Sequence, residues 1–375
     1  MKILFTGGGS GGHFYPIIAV AEELNRLIKE NKLLGAKLYY MSASPYNEGL
    51  LFENNITFKK NYSGKIRRYF SIMNFFDLFK TGWGLITSIL DVFKIYPDVV
   101  FSKGGYASFP VVFAARILRI PVIIHESDSV PGKVNLWAGK FAARVAISYP
   151  EAEKYFPKDK VAFTGNPIRS ELKIPLTEGV AEFLHLEEGV PVIFIIGGSL
   201  GSQIINEGII DALPRLISKY QIIHQTGKDN IEGTKGLAEI VFGDNEKYSR
   251  YRPFDYLNAW EMRMAAGLAD LVISRGGSTI FEIASWGLPS IIVPITSSNG
   301  DHQRQNAFSY ARKGACVVIE EANFSTNILV SEIDRLMDDP AERGKMGKAA
   351  KLFASPEAAE KNAKEILEIA LSHEV

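Results

Sequence analysis

The chain has 375 residues, 46% of them hydrophobic and 22% charged. That is the composition of a folded globular protein, and it is too long for one ordinary core, so a disordered chain is excluded and two domains are expected. Net charge is zero but unevenly placed: residues 1–165 carry 21 Lys and Arg against 13 Asp and Glu, and the remainder carries 21 against 29. A basic first half points to an anionic substrate or surface there. No dense Lys/Arg stripe appears, so nucleic acid is not the expected partner. The single cysteine, Cys316, stands in an apolar run and reads as a buried small hydrophobe in a reducing compartment. Only three apolar residues lie between Lys2 and Thr6, so no signal peptide is expected. Within the aromatic-rich region 70–95 the longest uncharged stretch is 81–90, far short of the ~20 residues that span a bilayer.

In chain order, residues 3–6 predict a strand that runs into Gly7-Gly8-Gly9-Ser10-Gly11-Gly12-His13. Residues 16–29 carry the helical period, with Ile17, Val20, Ala21, Leu24, Leu27 and Ile28 on one face. Residues 37–42 predict the next strand, ending in Ser42-Ala43-Ser44-Pro45. The segment 67–83 is dense in Phe and Trp, with Lys65, Arg67 and Arg68 at its start. It reads either as an interfacial segment, with Phe75, Phe76, Phe79 and Trp83 at the lipid headgroups, or as a core helix pair. Residues 98–102 predict a strand, followed by Lys103-Gly104-Gly105-Tyr106-Ala107 and a helix to 118. Residues 122–125 predict another, leading into His125-Glu126-Ser127-Asp128. Strands alternating with helices imply a parallel, doubly wound sheet that binds ligands beyond the carboxyl ends of its strands. Pro157, Pro167, Pro175 and Pro191 mark 156–191 as a crossover. Strands at 192–196, 221–224, 271–274 and 290–295 then repeat the scheme, and the Ala-, Lys- and Glu-rich tail reads as helix. The expected fold class is α/β, with two doubly wound parallel-sheet domains, 1–164 and 165–340. A helical tail, 341–375, is expected to pack back on the first.

A strand, a glycine turn and a helix start form an anion site, because free N–H groups and the helix dipole converge there. The setting occurs twice, at Gly7–His13 and at Gly197-Gly198-Ser199-Leu200-Gly201, which suggests two α/β domains with a cleft between them. Gly7, Gly9 and Gly12 also fit a dinucleotide fingerprint. That chemistry needs an acid after the second strand, and residues 42–45 supply none. His13, directly after the first turn, suits a general base or phosphate partner; otherwise it is a helix-start residue bonded to nearby backbone. Arg275-Gly276-Gly277-Ser278 opens a helix at 279–286 with Glu282 one turn in, placed for sugar hydroxyls or simply solvated. Asp301-His302-Gln303-Arg304-Gln305-Asn306 offers amides for sugar hydroxyls, with Asp301 as a helix cap. No Asp-x-Asp pair, Cys/His cluster or P-loop is present, so metal and ATPase chemistry are not expected; α/β-hydrolase chemistry is not expected either.

Taken together, these turns resemble the MurG family of N-acetylglucosaminyltransferases, which make lipid II in peptidoglycan synthesis. The resemblance runs through essentially the whole chain. It rests on Thr6–His13, Gly104–Ser108, His125–Asp128, Gly165-Asn166-Pro167-Ile168-Arg169, Gly197–Gly201, the segment 274–282 and His302-Gln303. It implies a two-domain GT-B fold, with UDP-GlcNAc mainly on the second domain and the lipid-linked acceptor, lipid I, on the first. It further implies inverting transfer to the muramyl C4 hydroxyl without a cofactor, at the cytoplasmic side of the bacterial membrane. Ser10, Gly11 and Gly12 match the family's donor-contacting turn; Arg169 and Ser199 match nucleotide contacts. Glu282 matches the ribose-binding acid, Gln303 the sugar-binding glutamine and His13 the proposed base. Tyr106, His125, Glu126 and Asn135 are acceptor-side candidates, and Phe254-Asp255 is expected near the uracil. The resemblance also favours the membrane reading of the aromatic segment. Two features depart from the family: Asp128 replaces an asparagine of many relatives, and 275–282 is one residue shorter. A UDP-GlcNAc 2-epimerase and a non-catalytic nucleotide-sugar-binding module are the alternatives.

Overall fold

The computed structural model describes residues 1–64, 72–198, 200–243, 246–296 and 299–373, and of residues 72–80, 246, 299 and 373 only the backbone. Ser199, Lys65, Arg67 and Arg68 therefore lie outside the described residues, as do the side chains of Phe75, Phe76 and Phe79. The chain forms two compact units, Met1–Ser170 with Ser355–Val375, and Glu171–Ala354.

The first unit runs β1 (Lys2–Thr6), α1 (Gly11–Glu30), β2 (Lys37–Ser42), α2 (Glu48–Glu53), β3 (Ile56–Lys60), α3 (Ile72–Ile95), β4 (Val99–Ser102), α4 (Phe109–Ile117), β5 (Val122–Glu126), α5 (Lys133–Ala138), β6 (Arg144–Ile147) and β7 (Val161–Phe163). Its seven strands lie in the order β3-β2-β1-β4-β5-β6-β7, all pairs parallel. Side chains alternate across a strand, so each strand feeds two cores. Ile3, Phe5, Val99 and Phe101 face one core, under α1 and the chain's last helix. Leu4, Val100, Ile124 and Val145 face the other, under α4. Both sides of the sheet are covered, which is why its strands read as continuous apolar runs.

The second unit runs α6 (Val180–Phe183), β8 (Val192–Ile196), α7 (Gln203–Leu216), β9 (Gln221–Gln225), α8 (Ile231–Phe242), β10 (Tyr251–Phe254), α9 (Ala259–Leu268), β11 (Ala269–Ser274), α10 (Thr279–Trp286), β12 (Ser290–Ile292), α11 (His302–Ala311), β13 (Cys316–Val318), α12 (Thr326–Met337) and α13 (Pro340–Phe353). Its strand order is β10-β9-β8-β11-β12-β13, again wholly parallel. In each sheet the order reverses beside the strand that carries a glycine turn, β1 or β8. That reversal opens a crevice at the carboxyl edge.

The last helix, α14 (Ala358–His373), belongs to the first unit, while α13 packs on α10 in the second. Ala363, Ile366, Leu367 and Ala370 of α14 join the core under α1. Arg26 pairs with Glu360 at 3.6 Å, and Arg144 with Glu365 at 2.8 Å. Two elements differ from their expected bounds by three residues or more. The strand expected at 290–295 stops at Ile292, just before Pro294, which has no N–H to donate. The helix expected from residue 16 begins five residues earlier. His13 and Phe14 N–H both close on the Ser10 carbonyl at 3.0 Å, so α1 winds its first turn before Pro16. Pro16 then removes one donor inside the helix, and His13 stands on the first turn rather than in a loop.

Candidate functional site

The first glycine turn is tied to its neighbours by buried hydroxyls. Thr6 Oγ1 donates to the Met41 carbonyl at 2.8 Å, and Ser42 Oγ donates to the Gly7 carbonyl at 3.0 Å. Ser42 ends β2, where a dinucleotide fold places its ribose acid. Here the position is fully buried and holds the turn itself. The His13 ring lies between two glycines. A Cβ on Gly8 would stand 3.0 Å from Nδ1, and one on Gly105 would stand 3.2 Å from Nε2. Gly105 has φ +83°, a conformation that also favours glycine. Ser10 Oγ is 2.8 Å from His13 Nδ1. Tyr106 follows Gly105, its hydroxyl 3.5 Å from where a Cβ on Gly9 would lie. Gly11 is backed by Tyr15 and Tyr46, and the Arg169 guanidinium sits 4.4 Å over the Tyr15 ring. The first unit thus gathers Ser10, Gly11, Gly12, His13, Tyr106 and Arg169 around one end of α1.

His125, Glu126 and Asn135 lie beneath that edge, all buried. Lys103 Nζ, also buried, donates to His125 Nδ1 at 2.7 Å and reaches Asn166 Oδ1 at 3.5 Å. The His125 proton therefore sits on Nε2, which donates to the Gly165 carbonyl at 2.9 Å. Glu126 accepts three bonds, from Asp128 N at 3.0 Å, Gly132 N at 3.0 Å and Asn135 Nδ2 at 2.9 Å. The carboxylate thereby shapes the loop that carries Asp128. Burial lowers the Lys103 ammonium to about 8, against the pull of Glu126 and Asp128. Burial and the Asp128 charge raise Glu126 to about 7, against its three donors. Burial and the Lys103 charge hold His125 well below the usual imidazole range. Lys103 is a residue that the sequence reading passed over. Its signal was a lone charge at the end of an apolar strand, directly before two glycines.

In the second unit three helix starts share the carboxyl edge of the sheet. Ser202 caps α7 by accepting from Ile205 N at 3.4 Å. Gln225 Nε2 holds the Gly198 carbonyl at 3.0 Å, and Gln225 Oε1 accepts from Leu257 N at 3.0 Å. The glycine turn and the residues after Phe254-Asp255 are thus held by one amide. Glu282, half-buried, lies on the first turn of α10, and Gln303, half-buried, on the first turn of α11. Gln303 Oε1 accepts from Ile295 N at 3.1 Å, and Asn306 Nδ2 donates to the Gly276 carbonyl at 3.1 Å. Arg275 bonds the Val293 carbonyl at 3.0 Å and pairs with Glu321 at 2.7 Å. Glu321 in turn accepts from Thr296 N at 2.8 Å. Asp301, expected as a cap of α11, makes no capping bond: it is left-handed, with φ 59°, and its carboxylate lies 3.4 Å from Arg304.

A buried relay fixes where α7 starts. Asn206 Nδ2 donates to the Thr226 carbonyl at 3.0 Å, so Asn206 Oδ1 must accept, and does so from His224 Nε2 at 3.0 Å. His224 Nδ1 then accepts from the Tyr251 hydroxyl at 2.9 Å. Burial pushes the His224 imidazole down to about 3.

The chain matches the glycosyltransferase family 28 N-terminal domain over residues 3–147 and the family 28 C-terminal domain over 192–362. It is 37% identical over 338 residues to UDP-N-acetylglucosamine--N-acetylmuramyl-(pentapeptide) pyrophosphoryl-undecaprenol N-acetylglucosamine transferase 3 of Bacillus thuringiensis (strain Al Hakam), covering 89% of this chain and 91% of the relative. The enzyme of that name from Clostridium novyi (strain NT) is 39% identical over 343 residues, covering 90% and 91%. The crystal structure of Acinetobacter baumannii MurG superposes with a TM-score of 0.73 at 25% identity, covering 98% of this chain and 99% of that one. A putative UDP-N-acetylglucosamine 2-epimerase from Listeria monocytogenes has a TM-score of 0.69 at 15% identity, covering 97% and 95%, a likeness of fold alone.

The His224 relay gives the second unit an acid-sensitive step. An unfolded imidazole takes up a proton below about 6.5, whereas the folded one stays neutral down to about 3. The unfolded state then binds more protons, so stability falls as pH drops through that window. Native-state hydrogen exchange of β8 and β9 amides should show an opening free energy about 1.6 kcal/mol lower at pH 5 than at pH 6.5, the slope approaching ~1.4 kcal/mol per unit below the unfolded pKa. The drop should shrink in His224→Gln; a wild-type opening energy independent of pH contradicts this account of the relay.

Proposed function

The chain belongs to the MurG family of glycosyltransferase family 28 enzymes, and from that premise we propose that it transfers GlcNAc from UDP-GlcNAc to the C4 hydroxyl of the muramyl sugar in lipid I, giving lipid II for peptidoglycan. Its two parallel-sheet units are the GT-B architecture. The observation that carries the mechanism is the position of His13, on the first turn of α1 at the switch point of the first sheet, in a slot between Gly8 and Gly105. The acceptor hydroxyl attacks the anomeric carbon from the face opposite UDP, and His13 takes its proton. The new C–O bond forms as the bond to the diphosphate oxygen breaks; UDP leaves with that electron pair, and the imidazolium later returns its proton to solvent. Inversion follows from the single displacement.

The donor is assigned to the second unit. The starts of α7, α10 and α11 supply N–H groups and positive dipole ends where charge grows on the leaving diphosphate. Glu282 takes the ribose hydroxyls, Gln303 the sugar hydroxyls and Ser199 contacts the nucleotide, and Arg169, which belongs to the first unit, is a further nucleotide contact. In the first unit Ser10, Gly11 and Gly12 line the reacting side. Tyr106 contacts the acceptor directly, while the buried His125, Glu126 and Asn135 support it by holding one another and the Asp128 loop, with Asn135 packed against Gly104. The epimerase alternative draws support from fold likeness alone, at 15% identity.

The lipid-linked acceptor calls for a membrane-facing surface. Among the described residues no helix is long and apolar enough to cross a membrane. Helix α3 does expose Trp83 (60%), Ile86 (55%), Leu90 (54%) and Phe93 (61%). At about 100° per residue these four fall within an arc of about 80°, one continuous apolar stripe. In the sequence these four follow the aromatic segment with Phe75, Phe76 and Phe79, which Lys65, Arg67 and Arg68 precede. It docks on anionic lipid face on, through apolar side chains and flanking cations.

Two measurements test these readings. His13→Ala should keep UDP-GlcNAc affinity nearly unchanged while turnover falls by roughly 10²–10⁴, the usual contribution of a general base; near-normal turnover removes His13 from that role. Replacing Trp83, Ile86 and Phe93 by Ser should abolish co-sedimentation with anionic vesicles but leave affinity for UDP-GlcNAc in solution intact. Undiminished sedimentation of that variant would move the docking surface elsewhere.

A further inference from the structure

We infer that Ser10 is a positioning residue for the transfer: His13 Nδ1–H donates to Ser10 Oγ, which places the basic lone pair of the ring on Nε2. This rests on the reading of His13 as the base. Ser10 occupies the N-cap of α1 in an extended conformation, φ −130° and ψ 158°, yet its hydroxyl makes no capping bond. Among the other polar N-cap residues of the α-helices, Asn47, Ser202, Asn258, Ser325 and Asp339 each accept from the helix backbone, whereas Ser108, Asn230, Ser278 and Asp301 do not, and those four have right- or left-handed helical backbone rather than the extended one of Ser10. At α1 the Ser10 carbonyl closes the first turn, and the hydroxyl instead lies 2.8 Å from His13 Nδ1.

The geometry makes the choice of tautomer matter. Gly8 and Gly105 leave the ring a slot that a Cβ on either residue would crowd. The Nε2 edge is the one at Gly105, the turn that carries Tyr106. If Ser10 donated to Nδ1, the ring proton would sit on Nε2, and that edge could not accept from a sugar hydroxyl. With Ser10 as acceptor, Nε2 takes the proton of the attacking hydroxyl, and the Nδ1–H bond to Oγ persists in the imidazolium that forms. A hydrogen bond made on one ring nitrogen sets the role of the other.

This assignment differs from a donor contact in what its loss does to the kinetics. Ser10→Ala deletes no capping bond, so the variant should fold with wild-type thermal stability. Its kcat should fall by about tenfold, a part of the ~10²–10⁴ that a general base contributes, while KM for UDP-GlcNAc stays within about twofold. Ser10→Thr, which keeps a hydroxyl, should recover most of the lost kcat. In a His13→Ala background, Ser10→Ala should cost nothing more. A raised donor KM at unchanged kcat would overturn the proposal and make Ser10 a donor contact. The same tenfold loss in the His13→Ala background would overturn its action through the ring yet leave the base reading standing. Near-normal turnover of His13→Ala alone would remove both.

Discussion

Parallel pairing of β1 with β2 on one side and β4 on the other is the constraint on which the first unit depends. Connections from a parallel strand must leave at its carboxyl end. Where the strand order reverses, successive connections depart to opposite faces and leave a crevice. The glycine turn fills that crevice because nothing larger fits. Gly7 is tied to Ser42, and the backbone of Gly8 comes so near Gly105 that a Cβ there would stand 2.9 Å from the Gly8 Cα. The His13 slot is a product of that close approach. The second sheet repeats the arrangement at β8 with β9 and β11, but gathers three helix starts along its carboxyl edge and has no histidine in its glycine turn.

The two copies thus solve different problems with one topology. The first offers a titratable ring held by small residues, above a buried network in which Lys103, His125, Glu126 and Asn135 hold one another. A buried charge is costly unless it is bonded, and Glu126 is bonded three times over. The network therefore stiffens the edge on which we place the reaction. The second offers dipoles and amides, fixed by Gln225, Arg275, Glu321 and the His224 relay. Such preorganised groups stabilise developing charge without reorganising during the reaction.

Much of the fold was legible in the sequence, because apolar strands buried on both faces stand out and glycine turns mark their ends. The strands at 192–196 and 37–42 have the expected bounds. What escaped has physical causes. The start of α1 lay hidden behind Pro16, which ordinarily begins a helix rather than sitting inside one. The short β7, with Val161 half-buried and Ala162 and Phe163 exposed, lacks the apolar run that announces a buried strand, so the crossover swallowed it. Lys103 escaped because a lysine beside glycines reads as solvated, and only its fold context shows that Nζ is enclosed by His125 and Asn166. His224 and Asn206 are 18 residues apart, a pairing that the packing of α7 on the sheet creates and no local pattern announces. The exposed stripe of α3 is the reverse case: its helical spacing is plain, but an apolar face of this kind usually signals a core.

The proposed reaction moves a sugar to a lipid-linked acceptor rather than remodelling or merely holding its nucleotide. Incubation with UDP-GlcNAc labelled in the sugar, with and without lipid I, followed by separation of lipid and nucleotide products, tests it most directly. The account predicts label in the lipid fraction only when lipid I is present, with stoichiometric UDP and a β-linked product. Label recovered as an epimerised UDP-sugar without acceptor, or bound donor that never turns over, would contradict it.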